Sequence, residues 1–153
     1  MPYKRKMNRQ QVFDAVVHHL AKQGKRSTFT RPGQGFSMCR YRGYGGLKCA
    51  IGALIPDELY HPRLEGSLPS TWLSHFKNPE IYPVSEHSHT HKVAEHFQKT
   101  FYKNVWQVAF LFGLQGCHDV SGDVEQLRYN LTRFANKYKL KSESVEHIKT
   151  WKE

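Results

Sequence analysis

Residues 36–52 read FSMCRYRGYGGLKCAIG, two short runs of alternating polar and apolar side chains around Gly43-Tyr44-Gly45-Gly46. Alternation flanking a glycine-rich turn is the signature of a β-hairpin. On the first run Cys39 and Tyr41 fall on one face and Met38, Arg40 and Arg42 on the other; on the return run Leu47, Cys49 and Ile51 oppose Lys48 and Ala50. This stretch separates an α+β protein from an all-helical one. Cys39 faces Cys49 with a three-residue loop at 43–45, whereas a loop of two or four residues shifts the register by one, and both registers stay open.

The surrounding segments have helical period. Val12, Phe13, Val16, Val17 and Leu20 share one helical face, with Asn8-x-x-Gln11 as a start signal and Gly24 as a stop. Prolines 56, 62, 69, 79 and 83 restrict the middle of the chain to short helices, at Asp57 to Tyr60 and Ser70 to Phe76. A helix starting near Thr90 carries Val93, Ala94, Phe97 and Phe101 inward. Residues 105–114 are apolar all round, as a central helix would be, ended by Gly116 and a Cys117-His118-Asp119 turn. Asp123 with Gln126 opens an amphipathic helix through Val124, Leu127, Leu131, Phe134, Ala135 and Tyr138, and a last short helix is expected near Ser144 to Trp151. The expected architecture is α+β, a mainly helical single domain with one small β-hairpin near residues 36–53. Mobile ends are expected at the basic N-terminal tail 1–7 and at 140–153.

A chain of 153 residues is long enough to bury a core without disulfides or a structural metal. Three cysteines, an odd number, speak against a disulfide framework and for a reducing cytoplasm. No run approaches the roughly 18 apolar residues of a membrane helix, and the basic start leads into an amphipathic segment rather than a secretory signal.

The net charge of +10 is unevenly spread. Residues 1–48 carry eleven Lys or Arg against one acid, Asp14, while the remaining residues balance at twelve of each sign. Such asymmetry describes a partner rather than a fold. The candidate anion- or nucleic-acid-binding residues are Arg40, Arg42 and Lys48 on the cationic hairpin face, Lys25, Arg26 and Arg31 in the preceding loop, and Lys4, Arg5, Lys6 and Arg9 at the start, with Tyr44 as a stacking surface.

Three further constellations carry chemistry. His87, His89 and His91 alternate, so an extended segment would turn three imidazoles to one side, a candidate metal site; the pattern lacks H-E-x-x-H, and a solvated loop is its default. Cys39, Cys49, Cys117 and His118 have the composition of a Cys3His zinc site, but nine residues separate the first two. Buried small apolar cysteines explain them better. His118 and Asp119, with Asp57, form a candidate polar site. Adjacent residues in a turn seldom make a nucleophile-base-acid relay, so Asp119 or His118 is expected to cap a helix or pair with a basic group such as Arg42. No catalytic residue is assigned, and no cofactor is implied.

The stretch from Cys39 to Tyr60, CRYRGYGGLKCAIGALIPDELY, together with LQGCHD at 114–119, resembles a group of small proteins encoded by tailed bacteriophages and prophages. The resemblance spans about the first 65 residues plus that turn. It implies work in an infected bacterial cytoplasm, on host nucleic-acid machinery or on a defence system. The leading expectation is an accessory protein that binds nucleic acid or a host nucleoprotein complex through its basic third. The alternatives are an inhibitor docked on a host defence protein without nucleic acid, and a small metal-dependent hydrolase or nucleotide-binding protein. No membrane is expected to be involved.

Overall fold

A computed structural model describes residues 5–35, 38–77 and 88–153. The fold is mostly helical. The α-helices among the described residues are α1 (Arg9–Gln23), α2 (Pro69–Lys77), α3 (His89–Thr100), α4 (Val108–Val120) and α5 (Val124–Lys137). Two minimal strands, β1 (Thr28–Phe29) and β2 (Met38–Cys39), pair antiparallel. Among the described residues no helix is long and apolar enough to cross a membrane.

α1 forms as its sequence dictates. Asn8 and Gln11 close a reciprocal capping box, and Gly24 ends the helix in the left-handed region at φ 64°. Its apolar stripe, Val12, Phe13, Val16, Val17 and Leu20, is fully buried, with Phe13 stacked on Phe134 of α5 at 5.9 Å. α5 likewise starts at Asp123, whose side chain accepts from the Gln126 N–H. Trp72 of α2 is fully buried between Tyr41 and Phe97.

The hairpin at 36–53 does not form. β2 pairs with the upstream β1, setting Cys39 opposite Thr28 rather than Cys49. The expected return strand survives only as a single bridge, Arg42 to Lys48, and residues 52–54 coil into a 3-10 turn. The two segments nevertheless approach closely. The Cα of Gly52 lies against the Tyr41 carbonyl so tightly that a Cβ there would overlap it. Gly45 and Gly46, at φ 66° and 76°, let the chain fold back within one short turn. Cys39, Cys49 and Cys117 are all free thiols.

One other expectation is corrected. α4 begins at Val108 and runs through Gly116 to Val120, so Cys117, His118 and Asp119 belong to a helix and not to a turn. Gly116 has open space where a Cβ would go and nothing there to break the helix, while Gly113 is needed because the Phe134 ring would meet a Cβ at 2.9 Å. The C-terminal end packs onto the core. Val145, Ile148 and Trp151 are buried, Trp151 Nε1 donates to the Ser121 carbonyl at 2.8 Å, and Lys25 bridges to Lys152 beside the end of α1. Met7 is bonded on both sides: its N–H donates to Thr100 O at 2.8 Å, and its carbonyl accepts from the Tyr102 N–H at 3.0 Å.

Candidate functional site

The residues expected to form a cationic hairpin face are held in internal pairs. Arg42 has a side chain only 12% exposed; it donates to the carbonyls of Tyr41, Gly52 and Ile55 and pairs with Asp57 at 3.0 Å. Lys48 shares the same Asp57 oxygen at 2.8 Å, and the two cations hold that carboxyl below its usual range. Arg40 lies 3.7 Å from Glu65 and stacks over Phe29. Arg26 pairs with Glu153 and donates to the Asp119 carbonyl. Arg9 donates to Asn104 O and Gln107 and lies over the rings of Phe110 and Tyr138. Tyr44 is exposed, with its ring against Phe29. Lys25, Arg31, Arg5 and Lys6 are exposed, and Lys4 lies outside the described residues. Loop arginines thus build the fold by bonding carbonyls that no strand partner satisfies.

Residues 39–60 and 114–119, remote in sequence, converge on one place. Ile51 N–H donates to Gln115 Oε1, and Gln115 Nε2 in turn donates to Asp119 Oδ1 at 2.6 Å. His118, fully buried, donates from Nδ1 to the same oxygen at 2.8 Å, while its Nε2 accepts the Ser27 N–H at 3.0 Å. Cys39, His118 and Asp119 bring their ligand-type atoms within 4.8 Å of one another. Beside them opens a cavity of about 400 Å3 whose lining includes Cys39, Arg40, Glu65, Phe112 and Asp119.

This arrangement is neither a relay nor a good metal cage. A relay needs the imidazole between thiol and carboxylate; here the carboxylate stands in the middle, and Cys117 is turned away toward the carbonyls of Gly113 and Asn130. Burial, then the nearby Asp119 charge, pushes the Cys39 thiol up to about 12, so it stays protonated at neutral pH. A backbone N–H can only donate, so Ser27 fixes the imidazole proton on Nδ1. A metal at Nδ1 would drive that proton to Nε2, into the Ser27 N–H. Metal-bound histidines need an acceptor behind them, and this one has a donor.

The histidine-rich stretch is divided. His87 lies outside the described residues, and His89 and His91 sit in the first turn of α3, where an i, i+2 pair does not share a face. His89 instead stacks on His61 at 3.6 Å, a partner that sequence spacing gives no means of finding. Asp57, the third member of the expected polar site, is engaged with Arg42 and Lys48, apart from the His118 and Asp119 pair.

A second cationic surface is not evident as a unit in the sequence. The start of α1 and the end of α5 meet, because Gln10 exchanges two hydrogen bonds with the backbone of Lys141, at 3.0 and 2.8 Å. Arg9 and Lys137 both lie over the Tyr138 ring, at 4.8 and 5.6 Å. Met7 holds the adjoining Arg5 and Lys6 beside Tyr102 and Lys103. Arg5, Lys6, Lys103, Arg133, Lys137, Lys139 and Lys141 are exposed, and none forms an ion pair among the described residues. Asp14, one turn along α1, is bonded by Gln10 and Ser144. A notch of about 360 Å3, lined by Gly113, Gly116, Asn130, Arg133, Lys137 and Tyr138, opens between α4 and α5.

Comparison with protein-family models, with curated proteins and with solved structures gives no match.

Proposed function

We propose that the protein is a non-enzymatic binding protein for nucleic acid, and that its binding surface is the cationic patch around Tyr138 where α1 and α5 meet. The anionic class of partner is the one expected from the charge; its location moves from the loop arginines to the two helix ends. The observation that carries the reading is the gathering of seven exposed cations from remote segments with no ion pair among the described residues. Like charges at close quarters repel, so a surface that leaves them unneutralised favours any polyanion that relieves the repulsion.

Nucleic acid suits the patch better than an acidic protein face because aromatic rings accompany the cations. Tyr102 and Tyr129 are 42% and 61% exposed, and Arg133 lies 5.6 Å from the Tyr129 ring. Phosphates meet Lys and Arg while bases stack on exposed rings, a combination that tolerates many sequences. Charge reversal tests the reading. Labelled single-stranded and duplex oligonucleotides are titrated with wild type and with Lys137→Glu/Lys141→Glu. The expected result is micromolar binding that the variant loses. Equal binding by both proteins, or retention of a host protein with no nucleic acid bound, contradicts it.

A further inference from the structure

Asp119 lines the 400 Å3 cavity. Both of its nitrogen donors, Gln115 Nε2 and His118 Nδ1, go to Oδ1, and the Cys39 thiol also bonds the carboxylate, so Oδ2 has no N–H partner among the described residues. The carboxyl group is 36% exposed, while the imidazole behind it is fully buried and held from its other side by Ser27. A carboxylate so braced cannot swing away to bond water elsewhere, which is the condition of a preorganised ligand anchor.

Arg40 lines the same cavity. Its Nε faces Glu65 at 3.7 Å and its guanidinium lies flat on Phe29, 4.2 Å from the ring centre. The two terminal nitrogens carry no hydrogen bond among the described residues. Glu65 itself is saturated, accepting from the N–H groups of Tyr41 and Arg42 and from the Tyr60 hydroxyl. The cavity therefore offers one acceptor, Asp119, and one flat donor, Arg40, between apolar walls that include Ile51, Phe112 and Val120. Its volume falls in the range of small-ligand pockets, roughly 300–1,000 Å3.

We propose that this cavity binds a nucleobase or nucleoside, whose N–H edge bonds Asp119 and whose ring nitrogen or carbonyl accepts from Arg40. Guanine is the best match among the common bases, since it offers an N–H donor to the remaining carboxylate oxygen on one edge and paired O6 and N7 acceptors to an arginine fork on another. The site is separate from the patch on α5. An uncharged nucleoside brings no phosphate for that patch to hold.

The experiment is calorimetric titration of the full-length protein with guanosine, adenosine, cytidine and uridine at millimolar concentration. Asp119→Asn and Arg40→Gln are titrated in parallel, after thermal unfolding has established that each is folded. Asn keeps an oxygen to accept from Gln115 and His118, and Arg40, its side chain 29% exposed, has no hydrogen bond to a backbone carbonyl among the described residues, so at least one variant is expected to retain the fold. Saturable binding of guanosine, weakened about tenfold or more in a folded variant and unchanged in Lys137→Glu/Lys141→Glu, supports the proposal. Binding of none of the four nucleosides overturns it, as does binding undiminished in the folded variants or lost on reversing the α5 charges.

Discussion

The backbone N–H of Ser27 donates to Nε2 of the fully buried His118 at 3.0 Å, tying the loop after α1 to the end of α4. His118→Ala would leave that N–H and the Asp119 carboxylate without their shared partner. A loss of about 2–4 kcal/mol is expected in urea unfolding, since a buried donor is stranded and a cavity opens. His118→Gln, which keeps an acceptor, is expected to lose less.

Gly52→Ala tests the close approach of residue 52 to Tyr41. A methyl group there meets backbone, the Tyr41 carbonyl, and not a side chain that can turn away. The expected cost is about 1–3 kcal/mol from forced backbone displacement, read as a lower denaturation midpoint. Gly116→Ala, with open space at its Cβ position, is expected to be neutral or slightly stabilising.

These two glycines also mark where the sequence is legible and where it is not. α1 and α5 can be read directly because a buried stripe of helical period and a cap agree at each end: Asn8 with Gly24, and Asp123 before Leu127 and Leu131. The hairpin misleads because alternation is local, whereas the partner of Met38–Cys39 lies across a loop at Thr28–Phe29. α4 outruns its expected end because whether Gly116 breaks a helix depends on what surrounds it, and the space there is open. At the candidate site the residues His118 and Asp119 are visible in the sequence, but Gln115 and Ser27 are not. Gln115 stands four residues before Asp119, a spacing that could have revealed it; nothing local points to Ser27. The cationic patch is hidden because net charge sums along the chain, and only the fold adds the start of α1 to the end of α5.

Arg40→Ala/Arg42→Ala distinguishes a structural from a binding role for the loop arginines. Arg42 bonds three carbonyls and Asp57. Its removal strands those groups, at an expected cost of about 2–4 kcal/mol. Thermal unfolding should show the loss, while oligonucleotide affinity below the new melting temperature stays within about twofold of wild type. A stable variant with lost binding would return the interface to the loop.

Stability is expected to fall on mild acidification. His19 is held below its ordinary 6.5, first by burial and against a bond from Gln23 that raises it, with Lys48 and Arg42 adding repulsion. His89 is lowered first by desolvation and then by His61, Lys92 and Arg63. For both, the folded state takes up its proton at lower pH than the unfolded chain. Their contribution is therefore present above 6.5 and lost as pH falls through the depressed values. Melting temperature should drop as pH falls below 6.5, because the unfolded chain there binds more protons than the folded one. His19→Gln/His89→Gln should flatten the decline.

The most direct test of the central claim is the salt dependence of oligonucleotide binding by wild type and by Lys137→Glu/Lys141→Glu. Each phosphate contact contributes about −0.9 to the slope of log affinity against log salt on duplex DNA. A steep wild-type slope that becomes shallower by about two contacts in the variant is the expected result. Equal slopes, or no nucleic-acid binding at low salt, would contradict the assignment of the α1 and α5 patch as the interface.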